Sequence, residues 1–235
     1  MIIESYGISD IGLSRANNED VWAELPDRNF YVLADGMGGH QAGEVAAKEA
    51  VMALCDAVDL LFEKSETLAQ TDVMAGIKDG ILAANAWVRT LAKKHSELAG
   101  MGTTLSCFCL FNKHLIYAHV GDSRLYRYRK KEGLTCLTTD HSVRQENKSM
   151  LTRAIGPSST IYPEIGVLPI QMEDLYFLCT DGLTDYVSED AIAQIVSSST
   201  SLKNTSIELV DTAKAEGGND NITVLMVKID AAHFS

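Results

Sequence analysis

The stretch FYVLADGMGGH, residues 30–40, decides how the rest of the chain is read. Its first five residues, Phe30, Tyr31, Val32, Leu33 and Ala34, form an unbroken apolar run, the pattern of a strand buried on both faces. The run stops at Asp35, and three glycines, Gly36, Gly38 and Gly39, follow within the next four residues. Glycine tolerates positive φ and close backbone approach. The Asp35 carboxylate and the Gly36 carbonyl are therefore expected to face whatever binds at the strand's end, with His40 close by. Taken alone, Asp-Gly after a strand is also an ordinary turn. The device recurs, however: a second apolar run, LYFLCT at 175–180, ends at Asp181-Gly182.

Upstream, residues 2–9 read as a strand, 12–20 (GLSRANNED) as a polar segment and 21–25 as another strand. Pro26-Asp27-Arg28-Asn29 has turn chemistry, so the strands on either side of it are expected to form a hairpin. In an antiparallel pair the start of one strand lies beside the end of the next. Glu19 and Asp20, entering, should then meet Asp35, leaving. Downstream, Ala47, Val51, Leu54, Val58 and Leu61 mark the apolar stripe of one helix, and Val73, Ile77, Ile81, Ala84, Val88 and Leu91 that of a second. Met52, Met74 and Trp87, on or near those faces, are expected in the core.

Strands are then expected at 103–111, 114–120, 125–129, 134–138, 165–170, 175–180 and 222–229. The segment 143–163 reads as polar and irregular. Ser188 suits the N-cap of a helix carrying Ile192, Ile195 and Val196, and a further helix spans 201–215. Arg127, Arg129, Lys130 and Lys131 read as a solvated strand and turn. His95, His114, His119 and His141 are expected to be structural.

Composition bounds what such a chain can do. With 235 residues, 46% hydrophobic and 22% charged, it has the makings of one large domain over 1–235 with a substantial core. A formal charge of −12, from 32 acidic and 20 basic residues, argues against nucleic-acid binding and is compatible with cations. Five cysteines, odd in number and without metal-ligand spacing, indicate reduced thiols and a cytoplasmic setting, with Cys107 and Cys109 alternating along a strand as core residues. No stretch has the length and apolarity of a membrane span.

The acidic residues carry the chemistry. Glu19, Asp20, Asp35, Asp122, Asp181 and Asp220 all fall at junctions of strands and loops, and four of these junctions also contain glycine. Carboxylates gathered at one sheet edge repel and raise one another's pKa values, so the arrangement is costly unless cations occupy it. All-oxygen ligands favour Mg2+ or Mn2+ over zinc. Two such ions, roughly 3.5–4 Å apart, can activate a water and stabilise in-line displacement at phosphorus. A metal-dependent phosphoryl hydrolase is the leading reading, and a set of unrelated turn aspartates is its alternative.

Seven blocks occur in order: Arg15-Ala16-Asn17-Asn18-Glu19-Asp20, Asp35-Gly36-Met37-Gly38-Gly39-His40, Gly102-Thr103-Thr104, Gly121-Asp122-Ser123-Arg124, Asp140-His141-Ser142, Thr180-Asp181-Gly182 and Gly218-Asn219-Asp220-Asn221. In order and spacing the set resembles the metal-dependent protein phosphatase 2C family in its bacterial form, over nearly the whole chain. The resemblance implies an α+β fold, an α-β-β-α sandwich of two antiparallel sheets flanked by helices. It implies that Asp35 bridges two Mn2+ or Mg2+ ions, that Asp181 and Asp220 complete one site, and that the Gly36 carbonyl and Glu19 serve the other. Asp20 would support that shell, and Asp122 with Asp181 resembles a third ion's ligands. Arg15 would hold the substrate phosphate with its guanidinium fork. His40 is a candidate for protonating the leaving alkoxide, although the family's animal members carry a histidine where this chain has Met37.

The implied activity is a cytoplasmic, monomeric serine/threonine protein phosphatase that uses a metal-bound hydroxide and opposes a serine/threonine kinase on phosphoprotein substrates. The alternative is a metal-binding pseudophosphatase acting as a signalling or scaffold module. One departure stands out: only eight residues, 143–150, separate Asp140-His141-Ser142 from Leu151-Thr152-Arg153. Bacterial relatives usually carry a longer flap there, so a shortened flap and a cleft open on that side are expected.

Overall fold

The structure, a computed structural model, describes residues 2–38, 42–64, 67–145, 148–198 and 200–230. Two antiparallel sheets lie between two helical layers. The first sheet is built from β1 (Ile2–Asp10), β7 (Arg124–Arg129), β8 (Gly133–Cys136), β12 (Leu175–Cys179) and β13 (Ile222–Asp230), in the order β1-β13-β12-β7-β8. The second is built from β2 (Asp20–Leu25), β3 (Phe30–Met37), β5 (Leu105–Phe111), β6 (His114–Val120) and β11 (Glu164–Pro169), in the order β11-β6-β5-β3-β2. A short β4 (Gly102–Thr103) pairs with the end of β3.

The apolar run that opens β3 has the burial its sequence demands. Successive strand side chains point to opposite faces. Phe30, Val32 and Ala34 face α1 (Ala42–Lys64) and α2 (Gln70–Lys94), against Val51, Leu54, Ile77 and Ile81. Tyr31 and Leu33 face the other sheet, in a core shared with Leu125, Tyr176, Leu178, Leu225 and Val227. Phe108 joins the sheets there: its ring stacks on Tyr31 at 5.0 Å and tilts against Tyr176 at 6.0 Å. The outer face of the first sheet, with Tyr126, Phe177, Val224 and Met226, is covered by α4 (Glu189–Ser197) and α5 (Leu202–Ala215). Ser188 and Ser201 cap these two helices, accepting from the Ala191 and Asn204 amides. The architecture is the expected α-β-β-α sandwich.

Several local expectations are corrected. The strand expected from 103 breaks at Thr104, whose amide donates to the Asp35 carbonyl at 2.9 Å. The chain after Cys179 turns directly into a short helix, α3 (Asp181–Thr184). Met52 and Trp87 lie outside the core, 51% and 44% exposed, the Trp87 indole N–H donating to Glu49 at 2.7 Å. Met74 packs at the edge of the helix–sheet core. Arg127 and Arg129 do not belong to a simply solvated run: Arg127 pairs with Glu132, while Arg129 makes two bonds, of 2.7 and 2.8 Å, to the fully buried Asp174. Nor is 143–163 wholly irregular, because β9 (Ser142–Gln145) and β10 (Lys148–Leu151) pair as a hairpin.

Candidate active site

Strand ends from both sheets meet at one end of the sandwich. Asp20 opens β2 and pairs in register with Asp35 on β3, as the hairpin reading requires. Glu19 immediately precedes β2, Asp122 lies on the crossover from β6 to β7, Asp181 begins α3 after β12, and Asp220 precedes β13. A cleft of ≈ 390 Å³ is lined by Arg15, Glu19, Asp35, Gly36, Asp122, Asp181 and Asp220, with Thr104, Asn221, Met37, Gly38, Met150 and Leu151 completing its wall. Asp20 stands behind this wall, buried. His40 lies outside the described residues.

The close approach of backbones at the cleft floor explains the glycine after Asp35. A Cβ on Gly36 would collide with the Gly43 carbonyl in the first turn of α1 and would come within 2.7 Å of the Glu19 carbonyl. The Gly36 amide donates to that same Glu19 carbonyl at 3.1 Å. Asp35 is pinned from the other side: its amide donates to Thr104 Oγ1 and its carbonyl accepts from Thr103 Oγ1, both at 2.8 Å.

Three positioning residues carry no charge, and the charge-based reading passed over them. Asp20 Oδ2 accepts from Thr223 Oγ1 at 2.7 Å and from Thr180 Oγ1 at 3.0 Å, which ties β2 in one sheet to the ends of β12 and β13 in the other. Asn221 accepts the Glu19 amide at 2.8 Å and donates to the Ile11 and Asn17 carbonyls. Thr180 and Asn221 adjoin the acidic residues in the motif blocks, and that adjacency was the available signal. Nothing in the sequence marks Thr223.

Electrostatically the cleft is under strain. Burial, then the charges of Asp20, Asp181 and Asp220, pushes Asp35 well above the usual carboxylate range. Burial also raises Asp20 to about 7, against the lowering effect of its two threonine hydroxyls. Asp181 is raised to about 7 by burial and by Asp122, Asp220 and Asp185, and Asp122 to about 6 by burial and Asp140. Glu19 is raised, chiefly by burial. The neighbouring Asp181 carboxyl adds to the rise at Asp35, while Asp35 partly offsets the rise at Asp181. The buried oxygens Asp20 Oδ1 and Asp181 Oδ1 have no hydrogen-bond partner.

Among the described residues no three His, Cys, Asp or Glu side chains are already drawn in to the spacing of a metal cage. The donor set nevertheless suits hard divalent cations. It is all oxygen, it includes orphaned buried carboxylate oxygens, and its elevated pKa values show how much counter-charge the cluster needs. Next to the cleft, and sharing Asp122 and Asp181 with it, a second cavity of ≈ 390 Å³ is lined by Arg124, Asp140, Ser142, Thr184 and Asp185. Asp185, one turn beyond Asp181, is an acidic residue the sequence reading left out.

His119 and His141 are structural, as expected. Their rings stack at 4.7 Å, and His119 Nδ1 bonds Ser106 Oγ at 2.8 Å. The open side expected of the cleft beside the shortened flap requires a correction. The hairpin β9–β10 stands beside the cleft, and Met150 and Leu151 form part of its wall. The cleft is not open on that side.

Comparison with known proteins agrees with this geometry. A family model described as "Protein phosphatase 2C" matches residues 14–219. The serine/threonine phosphatase Stp of Listeria welshimeri is 34% identical, over 94% of this chain and 93% of its own. The protein phosphatase PhpP of Streptococcus pneumoniae is 32% identical, over 95% and 96%. The crystal structure of the Mycobacterium tuberculosis serine/threonine phosphatase PstP/Ppp superposes with a TM-score of 0.87 at 30% identity, covering 98% of this chain and 100% of that one. With the sandwich, the acidic cleft and these likenesses in agreement, the chain belongs to the protein phosphatase 2C family, as a serine/threonine phosphatase of the bacterial type.

Proposed function

We propose that the chain hydrolyses phosphoserine and phosphothreonine in proteins with Mn2+ or Mg2+ held in the acidic cleft, reversing the action of a serine/threonine kinase. The observation that carries this reading is the convergence of Arg15 and five acidic side chains, Glu19, Asp35, Asp122, Asp181 and Asp220, on one cleft. In this reading Asp35, Asp181 and Asp220 would hold one ion, Asp35 with the Gly36 carbonyl and Glu19 would serve another, and Asp122 with Asp181 would be available to a third. Bound there, the ions lower the pKa of a coordinated water and neutralise charge on the phosphoryl oxygens. Asp20, held by Thr180 and Thr223, fixes the start of β2 against the end of β3. Arg15, at the rim and paired with Asp220 in this structure, would grip the phosphate with its guanidinium fork. His40 is assigned, on its place in the sequence, to give the leaving seryl or threonyl oxygen its proton. All five cysteines are free. Cys107, Cys109 and Cys179 are buried with thiol pKa values pushed up, chiefly by burial, so none offers a covalent nucleophile.

We place this activity in one catalytic domain over 1–235, monomeric and cytoplasmic. Its site draws on both sheets, and its free thiols suit a reducing compartment. Among the described residues no helix is long and apolar enough to cross a membrane. The test is release of phosphate from phosphothreonine and phosphoserine peptides with Mn2+ and after exhaustive chelation. Turnover is expected only with metal, and undiminished turnover in chelator would defeat the mechanism. Metal binding without turnover would identify a binding module instead.

A further inference from the structure

Two residues with different duties in the proposed reaction occupy each other in this structure. Arg15 Nη2 donates to Asp220 Oδ2 at 2.7 Å, and the other Asp220 oxygen accepts from the Asn221 amide at 2.8 Å. The group assigned to grip phosphate thus lies on a carboxylate assigned to hold a cation. A divalent ion on Asp220 would sit against a guanidinium already in place, and like charges at that range repel. While paired to Asp220, Arg15 in turn has part of its fork turned away from an incoming phosphoryl group.

The exchange does not require the backbone to move. The Leu13 amide donates to the Gly218 carbonyl at 2.7 Å, and Ser14 Oγ donates to Asn219 Oδ1 at 2.8 Å, so the loop that carries Arg15 is fastened to the loop that carries Asp220. Only the Arg15 side chain has to turn. The pair is also weak enough to exchange: the Arg15 and Asp220 side chains are 50% and 34% exposed, the regime in which ion pairs contribute little.

We propose that Arg15 is the site's own stand-in cation, which covers Asp220 until a divalent ion takes that carboxylate and only then turns to the phosphoryl group. The device rests on the phosphatase reading and adds an order to it: the ion binds before the phosphate can be clamped. It also keeps the metal-free protein from gripping phosphate esters that it cannot hydrolyse.

The test follows the Arg15 guanidinium by NMR in 15N-labelled protein, with the signal assigned by its loss in Arg15→Lys. In chelator its Nη protons should exchange measurably more slowly, a relative protection, than those of the same guanidinium in Asp220→Asn. Saturating Mg2+, which is diamagnetic, should remove that protection, and inorganic phosphate should restore it, at a new chemical shift, only when Mg2+ is present. Asp220→Asn in chelator should resemble the Mg2+-loaded wild type in this signal. By calorimetry, Arg15→Ala should bind its first Mn2+ a few-fold tighter than wild type, whereas Arg28→Ala, which removes the same charge from a pair with Asp59, should not. A guanidinium that stays protected in Mg2+, while a raised melting temperature shows the ion bound, would overturn the interlock and leave the phosphatase reading standing. No ion binding by either measure would overturn both.

Discussion

Asp181 shows what the site demands of single residues. It is buried, one of its oxygens has no hydrogen-bond partner, and its pKa is raised to about 7. Asp181→Asn should therefore lower kcat by about 10³-fold or more, about 4 kcal/mol of transition-state stabilisation. The same change should raise the melting temperature in chelator, because a repelling buried charge has been removed. Asp35→Asn should behave alike. A variant that loses stability in chelator along with activity would place the residue in the fold's support instead.

The titration of these carboxylates sets a pH dependence with a definite sign. Asp20 and Asp181, at about 7, and Asp122, at about 6, hold protons in the metal-free fold that the unfolded chain gives up near 4. Between those values the folded state binds more protons, so stability falls as pH rises through that window. His119, lowered to about 4, and His141, also lowered by burial, act in the opposite sense, but they are two groups against four raised carboxyls, Asp20, Asp35, Asp122 and Asp181. In chelator the melting temperature should drop from pH 5.5 to pH 8. The stabilisation gained from Mn2+ should grow over the same range as protons cease to compete for the ligands. Equal metal-induced shifts at both pH values would count against the cluster as the binding site.

At the scale of elements, the hairpin β9–β10 changes what is expected of specificity. An open cleft would read little of a peptide's sequence, yet Met150, 54% exposed, stands in the cleft wall, paired across the hairpin with Val143, 46% exposed. Residues directly opposite in an antiparallel pair share a face. Met150→Ser should lower kcat/KM about tenfold for phosphopeptides with an apolar residue beside the phosphorylated one, about 1.4 kcal/mol of apolar contact. A small chromogenic phosphomonoester should be hydrolysed within twofold of the wild-type rate. A peptide panel with one varied flanking position measures both, and equal losses on every substrate would assign Met150 to the site's integrity.

The elements also show where a sequence is legible. β3 was plain because burial on both faces leaves an unbroken apolar run, and the β2–β3 register followed from turn chemistry, so Asp20 was set against Asp35 correctly. The hairpin β9–β10 was hidden for the converse reason: it belongs to neither large sheet, so its residues show none of the alternation that a half-buried strand carries. Met52 and Trp87 misled because size and apolarity were read as burial, whereas the α1–α2 pair leaves them on its outer side. The bonds from Thr180 and Thr223 to Asp20 span separations of 160 and 203 residues, and no local pattern encodes them.

For the whole molecule, the site works as a clasp between the sheets. Glu19, Asp20 and Asp35 come from one sheet, Asp181 and Asp220 from the other, and Asp20 already bonds across through Thr180 and Thr223. Thr223→Val removes one of those hydroxyls beside a buried carboxylate. It should lower stability by about 1–3 kcal/mol in chelator. Mn2+ should restore part of that, since ions held by the proposed ligands would join the same sheets. A chemical-denaturation series with and without Mn2+ measures the difference, and a loss of the same size in both would confine Thr223 to ordinary packing.

The pairing of β1 with β13 has a consequence in time. Ile2 lies opposite Asp230 and Asp10 opposite Ile222, so the first strand made is partnered only by the last. At a synthesis rate of about 5–20 residues per second, β1 waits on the order of tens of seconds for its neighbour. Through that interval the growing chain also lacks Asp220, two residues before β13. A nascent chain on the ribosome, or one released early by premature termination, is therefore without both the strand that joins β1 to its sheet and a proposed ion ligand. A chain truncated before Ile222 should therefore lack both the β1–β13 pairing and metal-dependent turnover.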